Sequence, residues 1–280
     1  MPEICYYNGK FQKLEEVSIP ISDRSIYFAD SVYEVAIGRS GNVYQLGEHL
    51  ARFYNNISAI GLSHPFIKAE AIGIIFELIK RAKIDNYMLY LQCSGNGEKR
   101  RHARHSDKSN ILIWIAESII SATPSSASLI SLPDTRYSMC NIKTTNLLPA
   151  VLASTMAENE GCREAVFCRD GVVTECAHSN IFILKNDTLY THPNGPHILP
   201  GITRANVIHL APTLGLLVNE VRFTLEDLYT ADEVFTTATT SLITRVTSLD
   251  KKPIGCKNER IINEIYSGLY ANFTNHQGNK

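Results

Sequence analysis

The chain has no pair of cysteines at the C-x-x-C spacing that zinc sites and redox motifs use, although it contains seven cysteines. An odd number of cysteines without that spacing indicates reduced thiols, and we expect neither disulfides nor a metal site. The net charge of −1 also lacks the basic excess with which nucleic-acid-binding proteins contact phosphates. The composition therefore argues against metal binding and against a nucleic-acid partner.

Long apolar runs and low-complexity tracts are missing as well. No run approaches the roughly 18 residues of a membrane span. The first ten residues, MPEICYYNGK, lack the basic and apolar blocks of a signal peptide. Together with the reduced cysteines, these absences favour a cytoplasmic protein without membrane contact. The 280 residues, of which 44% are hydrophobic and 20% charged, are enough for two modest domains.

Strand and helix signals alternate along the first half of the chain. Asn8-Gly9 between aromatic residues predicts a hairpin turn, and Leu50, Phe53 and Ile57 recur at helical spacing. The run SATPSSAS has the composition of a linker. We therefore predict an N-terminal domain, a linker and a C-terminal domain, which are residues 1–120, 121–128 and 129–280. The predicted strands and helices of this half are strands 33–39, 43–46, 86–94 and 110–116, a helix over 47–62 and a helix from Ala69.

Hairpins are more frequent in the second half. Asp170-Gly171 and Asn186-Asp187 each separate two apolar runs and predict two further hairpins. Strands mixed with a few packed helices indicate the α+β class with mixed sheets. The other predicted elements are a strand leading into Lys143, a helix ending at Gly161, a helix from Thr203, strands 218–223 and 232–240, and a helix over 259–273.

A lysine without a nearby carboxylate is the first candidate functional residue. Lys143 is flanked by Ile142 and Thr144 just before an apolar helix, and Asp134 is the single carboxylate within ten residues. A buried ammonium group is costly, and a lowered pKa makes such an amine a nucleophile that forms imines with carbonyls. Taken alone, Lys143 is better explained as an exposed lysine in a loop before a helix.

Two further stretches favour the chemical interpretation. Glu175 lies between apolar flanks in VVTECAHSNIFIL, and Gly201 precedes Thr203 where an amphipathic helix begins. Glycine allows close backbone approach, and the free N–H groups of a helix start attract phosphate. A lysine for an imine, a carboxylate for a protonated ring nitrogen and a helix start for a phosphate together match the needs of pyridoxal phosphate.

Ordered motifs extend this interpretation to nearly the whole chain, from YYNGKF near the start to FTTATTSLITRV near the end. They include DRSIYFADSVYEV at 23–35, IK-x-x-NLL at Lys143, VTE at Glu175, THP at Thr191 and ILPGITR at Ile198. With these motifs the chain resembles the class IV aminotransferases, pyridoxal-phosphate enzymes of fold type IV, and among them most closely the D-amino-acid transaminases. The resemblance implies a two-domain α+β fold with mixed sheets and packed helices, the cofactor in the cleft between the domains, and a homodimer.

The resemblance also implies roles for individual residues around pyridoxal phosphate. Lys143 would form the covalent imine with the cofactor and move a proton at the substrate Cα, and Glu175 would pair with the pyridine nitrogen. The resemblance also implies a set of phosphate ligands: the Arg52 guanidinium, the backbone N–H groups of Ile202 and Thr203, and the Thr239 hydroxyl. Thr240 remains an alternative to Thr239.

Substrate binding is implied for Tyr33, Arg100 and His102, which would hold the α-carboxylate. On composition alone, their segment EKRRHARH also fits a solvated basic loop. The chain departs from D-amino-acid transaminases after Glu175, where Cys-Ala-His replaces small serines and is similar to a stretch of aminodeoxychorismate lyases. His178 would then lie against the cofactor or pack in the crossing between strands. The arginine of a T-R-G run is also absent from SGNG at 94–97.

The function expected from these residues is a D-amino-acid:2-oxo-acid transaminase that acts on substrates of the D-alanine or D-glutamate type. A branched-chain L-amino-acid aminotransferase and an aminodeoxychorismate lyase stay as alternatives that use the same lysine. A non-catalytic pyridoxal-phosphate binder is the alternative from another class. The expected partners are an amino acid and a 2-oxo acid.

Overall fold

A computed structural model describes residues 4–97 and 99–277 of the chain. Within them, contacts between Cα atoms define two compact units, which are described separately. The first unit contains residues 4–97, 99–119, 142–146 and 276–277, and the second contains residues 120–141 and 147–275. Lys143 thus belongs to the first unit. The domain boundaries placed at 121–128 stay a prediction.

The first unit is built on an antiparallel sheet of six strands. Its strands are β1 Ile4–Tyr7, β2 Lys10–Lys13, β3 Ser31–Arg39, β4 Asn42–Val43, β5 Asn86–Gly95 and β6 Ser109–Glu117. Its α-helices are α1 Arg24–Phe28, α2 Leu46–Ala59 and α3 Lys68–Ala82. The strand order is β2-β1-β6-β5-β3-β4. The hairpin predicted at Asn8-Gly9 is confirmed, since Tyr6 pairs with Phe11 across it.

One face of this sheet carries the hydrophobic core of the first unit. Strand residues such as Val32, Leu89 and Ile113 are fully buried there against α2 and α3. The helical spacing of Leu50, Phe53 and Ile57 is confirmed, because all three belong to the buried face of α2. Each of these buried side chains contributes about 1.5–3 kcal/mol to the stability of the unit, and together they hold α2 against β3.

The opposite face of the sheet carries a row of stacked aromatic rings, because successive strand residues point to opposite sides. The ring of Tyr33 lies 5.7 Å from that of Tyr90, which lies 5.3 Å from that of Trp114. The Tyr90 hydroxyl donates a hydrogen bond to Gln92 Oε1 at 2.7 Å. Burial raises the pKa of Tyr90, so this hydroxyl keeps its proton at neutral pH. The row begins at the strand residue nearest Lys143.

The second unit contains a mixed sheet of nine strands in the order β12-β11-β10-β13-β14-β7-β8-β9, with β15 paired to β14. In the described part of the chain, no helix has the length and apolar character needed to span a membrane. The strands are β7 Ser125–Pro133, β8 Glu164–Arg169, β9 Val172–Cys176, β10 Asn180–Lys185, β11 Thr188–Thr191, β12 Leu217–Glu220, β13 Glu233–Ala238, β14 Leu242–Leu249 and β15 Lys252–Pro253. The α-helices are α4 Leu148–Asn159, α5 Ile202–Leu210, α6 Leu225–Thr230 and α7 Glu259–Thr274.

Helix α4 packs through alanines and presents larger apolar side chains outward. Ala153 and Ala157 are buried against β7 and β8 in a cluster with Phe167. Small residues on the inner face let the helix axis approach the sheet closely. The outer face is an apolar stripe in which half or more of each side chain is exposed, formed by Leu148, Val151, Leu152 and Met156.

Three secondary-structure predictions for the second half were wrong or incomplete. No strand leads into Lys143; β7 ends at Pro133, and Thr144 forms a single bridge with Val32. Strand β7 was not predicted; it begins at Ser125, within the run of linker composition, and its serines hydrogen-bond to Thr244 and Ser248 of β14. Strand β14 itself was missed, since the Thr-Thr-Ser turn before it lacks the Gly, Pro or Asn residues that indicate turns.

Candidate active site

The Lys143 backbone is fixed on the edge of β3. Its carbonyl oxygen accepts a hydrogen bond from the Tyr33 N–H at 2.9 Å, and the next residue, Thr144, bridges to Val32. The Thr145 hydroxyl lies 2.5 Å from that of Ser31. The half-buried side chain places Nζ 4.3 Å from the centre of the Tyr33 ring. The structure therefore gives an amine on an anchored backbone with an aromatic wall beside it.

Arg100 and His102 lie on an exposed segment that we call the basic loop, residues 99–105. Glu98, the first residue of the predicted EKRRHARH segment, lies outside the described residues. The Arg100 guanidinium carbon is 5.2 Å from the centre of the Phe28 ring, and the His102 ring is 5.3 Å from it. Among residues 4–97 and 99–277, no hydrogen bond or ring contact joins Tyr33 to either residue. The structure thus forms two groups, Arg100 with His102 and Tyr33 with Lys143.

Arg52 is part of a buried charge cluster with Glu34 and His49. Its Nε donates to Glu34 Oε2 at 2.9 Å and its Nη2 to Glu34 Oε1 at 2.6 Å, while His49 Nδ1 lies 3.0 Å from the latter oxygen. Burial alone would raise the pKa of Glu34, but its contacts with Arg52 and His49 prevail and lower it to about 2. Glu34 is adjacent to Tyr33 in β3, so this cluster also stabilises the strand that supports Lys143.

Changing Arg52 to alanine should lower the free energy of unfolding by about 3–5 kcal/mol at pH 7, because it leaves the Glu34 carboxylate buried without its partner. The depressed pKa of Glu34 contributes stability above pH 4.5 that is lost as the pH falls toward 2, and the variant should lose less in that window. Denaturant unfolding at several pH values measures both effects.

Arg260→Ala is the matched control, since Arg260 makes an exposed i,i+4 pair on α7 that is worth less than about 1 kcal/mol. If Arg52→Ala proved as stable as this control, the cluster would not have the structural role described.

Glu175 is the second-last residue of β9, before Cys176, and is buried among hydrogen-bond donors. Its Oε2 accepts from Asn180 Nδ2 at 2.9 Å and from the Leu199 N–H at 3.0 Å, and its Oε1 accepts from Arg136 Nη1. Burial raises the pKa of Glu175 to about 7, an effect that Arg136 offsets only in part. The carboxyl group is therefore poised to change its charge near neutral pH.

Arg136 was missed by the sequence analysis. Its Nε and Nη2 bond to both oxygens of Asp134 at 3.0 Å, its Nη2 also contacts the His197 carbonyl, and its guanidinium lies 4.6 Å from the centre of the Phe167 ring. Its charge is thus matched first by Asp134, whose pKa is lowered by these contacts despite burial. Because Arg136 is shared between Asp134 and Glu175, it lowers the pKa of Glu175 less than it would if it faced Glu175 alone.

The start of α5 is tied to Glu175 through the chain segment before it. Asn180 Nδ2 bonds to Glu175 and to the Leu199 carbonyl, and Leu199 lies two residues before Gly201. A Cβ at Gly201 would lie 2.1 Å from Asn180 Oδ1, so a larger residue there would displace the Asn180 side chain that bonds to Glu175 and Leu199. Gly201 has no side chain that could cap α5. The first N–H groups of this nine-residue helix are therefore not used by a capping side chain and can donate to a ligand at the helix N-terminus.

Two other predicted residues lie near these elements. Thr239 directly follows β13, against which α5 packs, and it is half-buried whereas Thr240 is exposed. His178 has 54% of its side chain exposed, with Nδ1 3.3 Å from Glu164 Oε1, and its N–H donates to the same oxygen. The buried Glu164 carboxyl therefore orients the residue that follows Ala177.

The sequence of the chain matches known proteins over most of its length. The family described as amino-transferase class IV matches residues 31–249. The D-alanine aminotransferase of Bacillus licheniformis is 34% identical over 252 residues, which cover 89% of each chain. The chain belongs to the class IV aminotransferases. It is therefore a pyridoxal-phosphate-dependent aminotransferase, as the motifs around Lys143 and Glu175 predicted.

Solved structures confirm the fold of this class IV aminotransferase. The branched-chain aminotransferase of Thermoproteus uzoniensis superposes with a TM-score of 0.89 at 22% identity, covering 96% of this chain and 93% of that one. A putative 4-amino-4-deoxychorismate lyase of Legionella pneumophila has a TM-score of 0.85 at 25% identity, covering 92% and 97%. The predicted α+β fold with mixed sheets and packed helices is confirmed.

The donor set of the second unit of this aminotransferase fits pyridoxal phosphate. A helix start preceded by a glycine, where a Cβ would press on Asn180, suits a phosphate group. The buried Glu175 carboxyl group provides an acceptor for a ring nitrogen that carries a proton. The Thr237 hydroxyl is buried and has no hydrogen-bond partner among the described residues, so a polar acceptor or donor is missing close to Thr239.

Proposed function

We propose that this aminotransferase is a D-amino-acid:2-oxo-acid transaminase for substrates of the D-alanine or D-glutamate type. The observation that carries the proposal is the pairing of Arg100 and His102 on one aromatic support, with both side chains exposed. Two donors held side by side suit a carboxylate, which every amino-acid substrate has. The name of the Bacillus licheniformis relative supports the D-configuration.

The proposed roles follow the chemistry of each residue. When bound, pyridoxal phosphate supplies an aldehyde that takes up the amino group and a ring that accepts the electrons left when the Cα proton is removed. We propose that Lys143 attaches the cofactor and moves the proton at the substrate Cα, and that Glu175 keeps the ring nitrogen protonated. The residues proposed to bind the phosphate are Arg52, Ile202, Thr203 and Thr239.

A homodimer is part of the proposal, in which the basic loop of one copy completes the site of the other. Two observations support it. Within one copy, Tyr33 makes no hydrogen bond or ring contact with Arg100 or His102 in residues 4–97 and 99–277. The apolar stripe on α4 also exposes a surface that water disfavours and that a second copy would cover. Pairing between copies brings the three proposed carboxylate ligands into one site.

Mixed dimers test this arrangement. Lys143→Ala and Arg100→Ala chains, each poorly active alone, should regain activity when they are co-refolded, because one hybrid site then has Lys143 from one copy and Arg100 from the other. If every site used its own loop, no hybrid site would have both residues. Activity that stays at the average of the two parents would contradict the proposal, and sedimentation confirms that hybrids have formed.

Arg100→Ala should lower kcat/KM for D-alanine by about 10- to 150-fold, the range that corresponds to one charge-assisted contact of about 1.5–3 kcal/mol. A substrate held through its nitrogen has its carboxylate as the second fixed point, so the group that binds the carboxylate decides which face of Cα turns to Lys143. The preference for the D-enantiomer should therefore weaken as well. Steady-state kinetics with both alanine enantiomers measures both changes.

Other activities are separable in the same assay. A branched-chain enzyme would use L-leucine or L-valine faster than D-alanine and D-glutamate, and this result would contradict the proposal. A lyase related to the Legionella pneumophila protein would release pyruvate from aminodeoxychorismate without consuming a 2-oxo acid. Unchanged D-alanine kinetics in Arg100→Ala would also refute the assignment.

A further inference from the structure

Arg24 connects α1 to the backbone of the basic loop. This arginine is buried, and each of its three guanidinium nitrogens donates a hydrogen bond. Nε bonds to Asp30 Oδ2 at 2.6 Å, Nη1 to the Arg101 carbonyl at 2.6 Å and Nη2 to the His102 carbonyl at 2.8 Å. The planar fork of an arginine is suited to holding two neighbouring acceptors at once. The loop backbone is therefore fixed at the two residues that follow Arg100.

Asp30 holds the loop at a second point. Its two oxygens accept from Arg104 Nε at 2.9 Å and Nη2 at 2.7 Å, and Arg104 Nη1 bonds to the Gly61 carbonyl at 2.6 Å. Burial would raise the pKa of Asp30, but Arg104 and Arg24 outweigh this effect and lower it. Asp30 is therefore charged at neutral pH and binds both arginines, so the loop is anchored on either side of His102.

Alternate residues of the basic loop make different contacts. Arg100 and His102 contact Phe28, which also lies 4.7 Å from the Arg24 guanidinium. Their neighbours Lys99 and Arg101 line a cavity of about 380 Å³ together with Arg24. Because Arg24 holds the loop carbonyls and also contacts Phe28, it fixes the backbone from which the Arg100 and His102 side chains reach that ring.

Glycines at the end of β5 make room for Arg24. A Cβ on Gly95 would lie 3.0 Å from Asp30 Oδ2 and 3.1 Å from Arg24 Cδ, and one on Gly97 would lie 3.5 Å from Arg24 Cγ. The SGNG run thus lacks side chains where the arginine stem crosses it. The two glycines therefore leave the space that the Arg24 side chain occupies.

We propose that Arg24 is a positioning residue for substrate binding, which acts by holding the Arg101 and His102 carbonyls so that Arg100 and His102 meet the substrate carboxylate. This role rests on the proposed function, in which those two residues bind the carboxylate. Arg24 itself bonds to the loop backbone and to Asp30, and it acts through Arg100 and His102.

The first test measures the anchoring without using activity. Arg24→Lys keeps a positive charge near Asp30 but has no fork for two carbonyls. Brief trypsin digestion of the folded holoenzyme should cut after Lys99, Arg100 or Arg101 at least about 10-fold faster in this variant, the lower end of the range for one lost charge-assisted hydrogen bond. Arg260→Lys is the control and should be cut in the loop at the wild-type rate. Equal loop cleavage in Arg24→Lys and wild type would overturn the anchoring.

The second test links the anchoring to the substrate. In Arg24→Lys, kcat/KM for D-alanine should fall about 10- to 100-fold, mainly through KM, because a displacement of about 1 Å costs up to about 100-fold. Combined with Arg100→Ala, it should lower kcat/KM by a clearly smaller factor than it does alone, since the Arg100 contact is already absent and only the His102 contact remains to be lost. Arg101→Ala, which keeps the carbonyl that Arg24 binds, should leave the kinetics near wild type.

The outcomes separate the two levels of the proposal. Faster loop cleavage with unchanged D-alanine kinetics, or losses that multiply in the double variant, would overturn the positioning role and leave the proposed function standing. Wild-type kinetics in Arg100→Ala would overturn the proposed function and this role with it. If Arg24→Lys does not fold, Gly95→Ala, which presses on the arginine stem, should give the same pattern in both assays, and its failure to do so would overturn the role.

Discussion

Lys143→Ala should lower the rate of amino-group transfer by about 10⁴-fold or more, because acid–base catalysis by one residue alone contributes about 10²–10⁴. The same amine is proposed to attach the cofactor, so two functions are lost together. The half-reaction with D-alanine, followed by stopped-flow absorbance in a single turnover, measures the loss. The fold should remain, since the hydrogen bond from Tyr33 uses the backbone carbonyl of residue 143 and not its side chain.

Chemical labelling gives an independent result for the same residue. Borohydride treatment of the loaded enzyme should attach a pyridoxyl group to Lys143, and peptide mass mapping should find it there. Lys80, exposed on α3, provides the control, and Lys80→Ala should keep both the label and the rate. A label on another lysine, or a Lys143→Ala variant that turns over at the wild-type rate, would remove Lys143 from the mechanism.

Glu175→Gln should slow the same half-reaction by about 10²- to 10³-fold, the range for losing one electrostatic partner of the developing charge, while the protein still binds pyridoxal phosphate. A neutral amide does not hold a proton on the ring nitrogen, and the ring then accepts electrons poorly. Glutamine also has a single acceptor oxygen, whereas Glu175 accepts from Arg136 on one oxygen and from Asn180 and Leu199 on the other. Single-turnover rates equal to those of wild type would exclude the proposed role.

The stability of the cofactor-free protein should report the charge of Glu175. Its folded pKa of about 7 lies above the ordinary value of 4.5, so its contribution is fully present below pH 4.5 and is lost as the pH rises through 7. A shift of this size corresponds to about 3 kcal/mol. Between pH 5 and pH 8, wild type should lose more unfolding free energy than Glu175→Gln by about this amount. Parallel stability curves would contradict it.

Local sequence patterns predicted those parts of the site that local structure determines. The Asn8-Gly9 hairpin, the helix predicted from Thr203 and the strand that contains Glu175 each depend on residues close together in the chain. Each was confirmed as a structural element, and the helix begins one residue earlier, at Ile202. The environment of Glu175 was different. Its partner Arg136 lies 39 residues away, and no spacing rule connects them.

Long-range pairing also decided the position of Lys143. A strand was predicted to lead into it, but the segment instead takes its support from β3, through the pair of Lys143 with Tyr33 and the bridge of Thr144 with Val32. The contacts of Arg24 with the basic loop span 77 residues or more in sequence. Such contacts depend on how the sheet orders its strands, and a single sequence carries no local signal for that order.

The stacked row on the open face of the first sheet also has an optical consequence. Trp114, at its far end, is the single tryptophan of the chain, so all indole emission of the protein originates at one place. Two tyrosine rings separate that indole from the Lys143 amine, through spacings of 5.3 and 5.7 Å between rings and 4.3 Å from the last ring to Nζ. The unmodified protein therefore contains its own fluorescent probe, located on the sheet face that carries Tyr33.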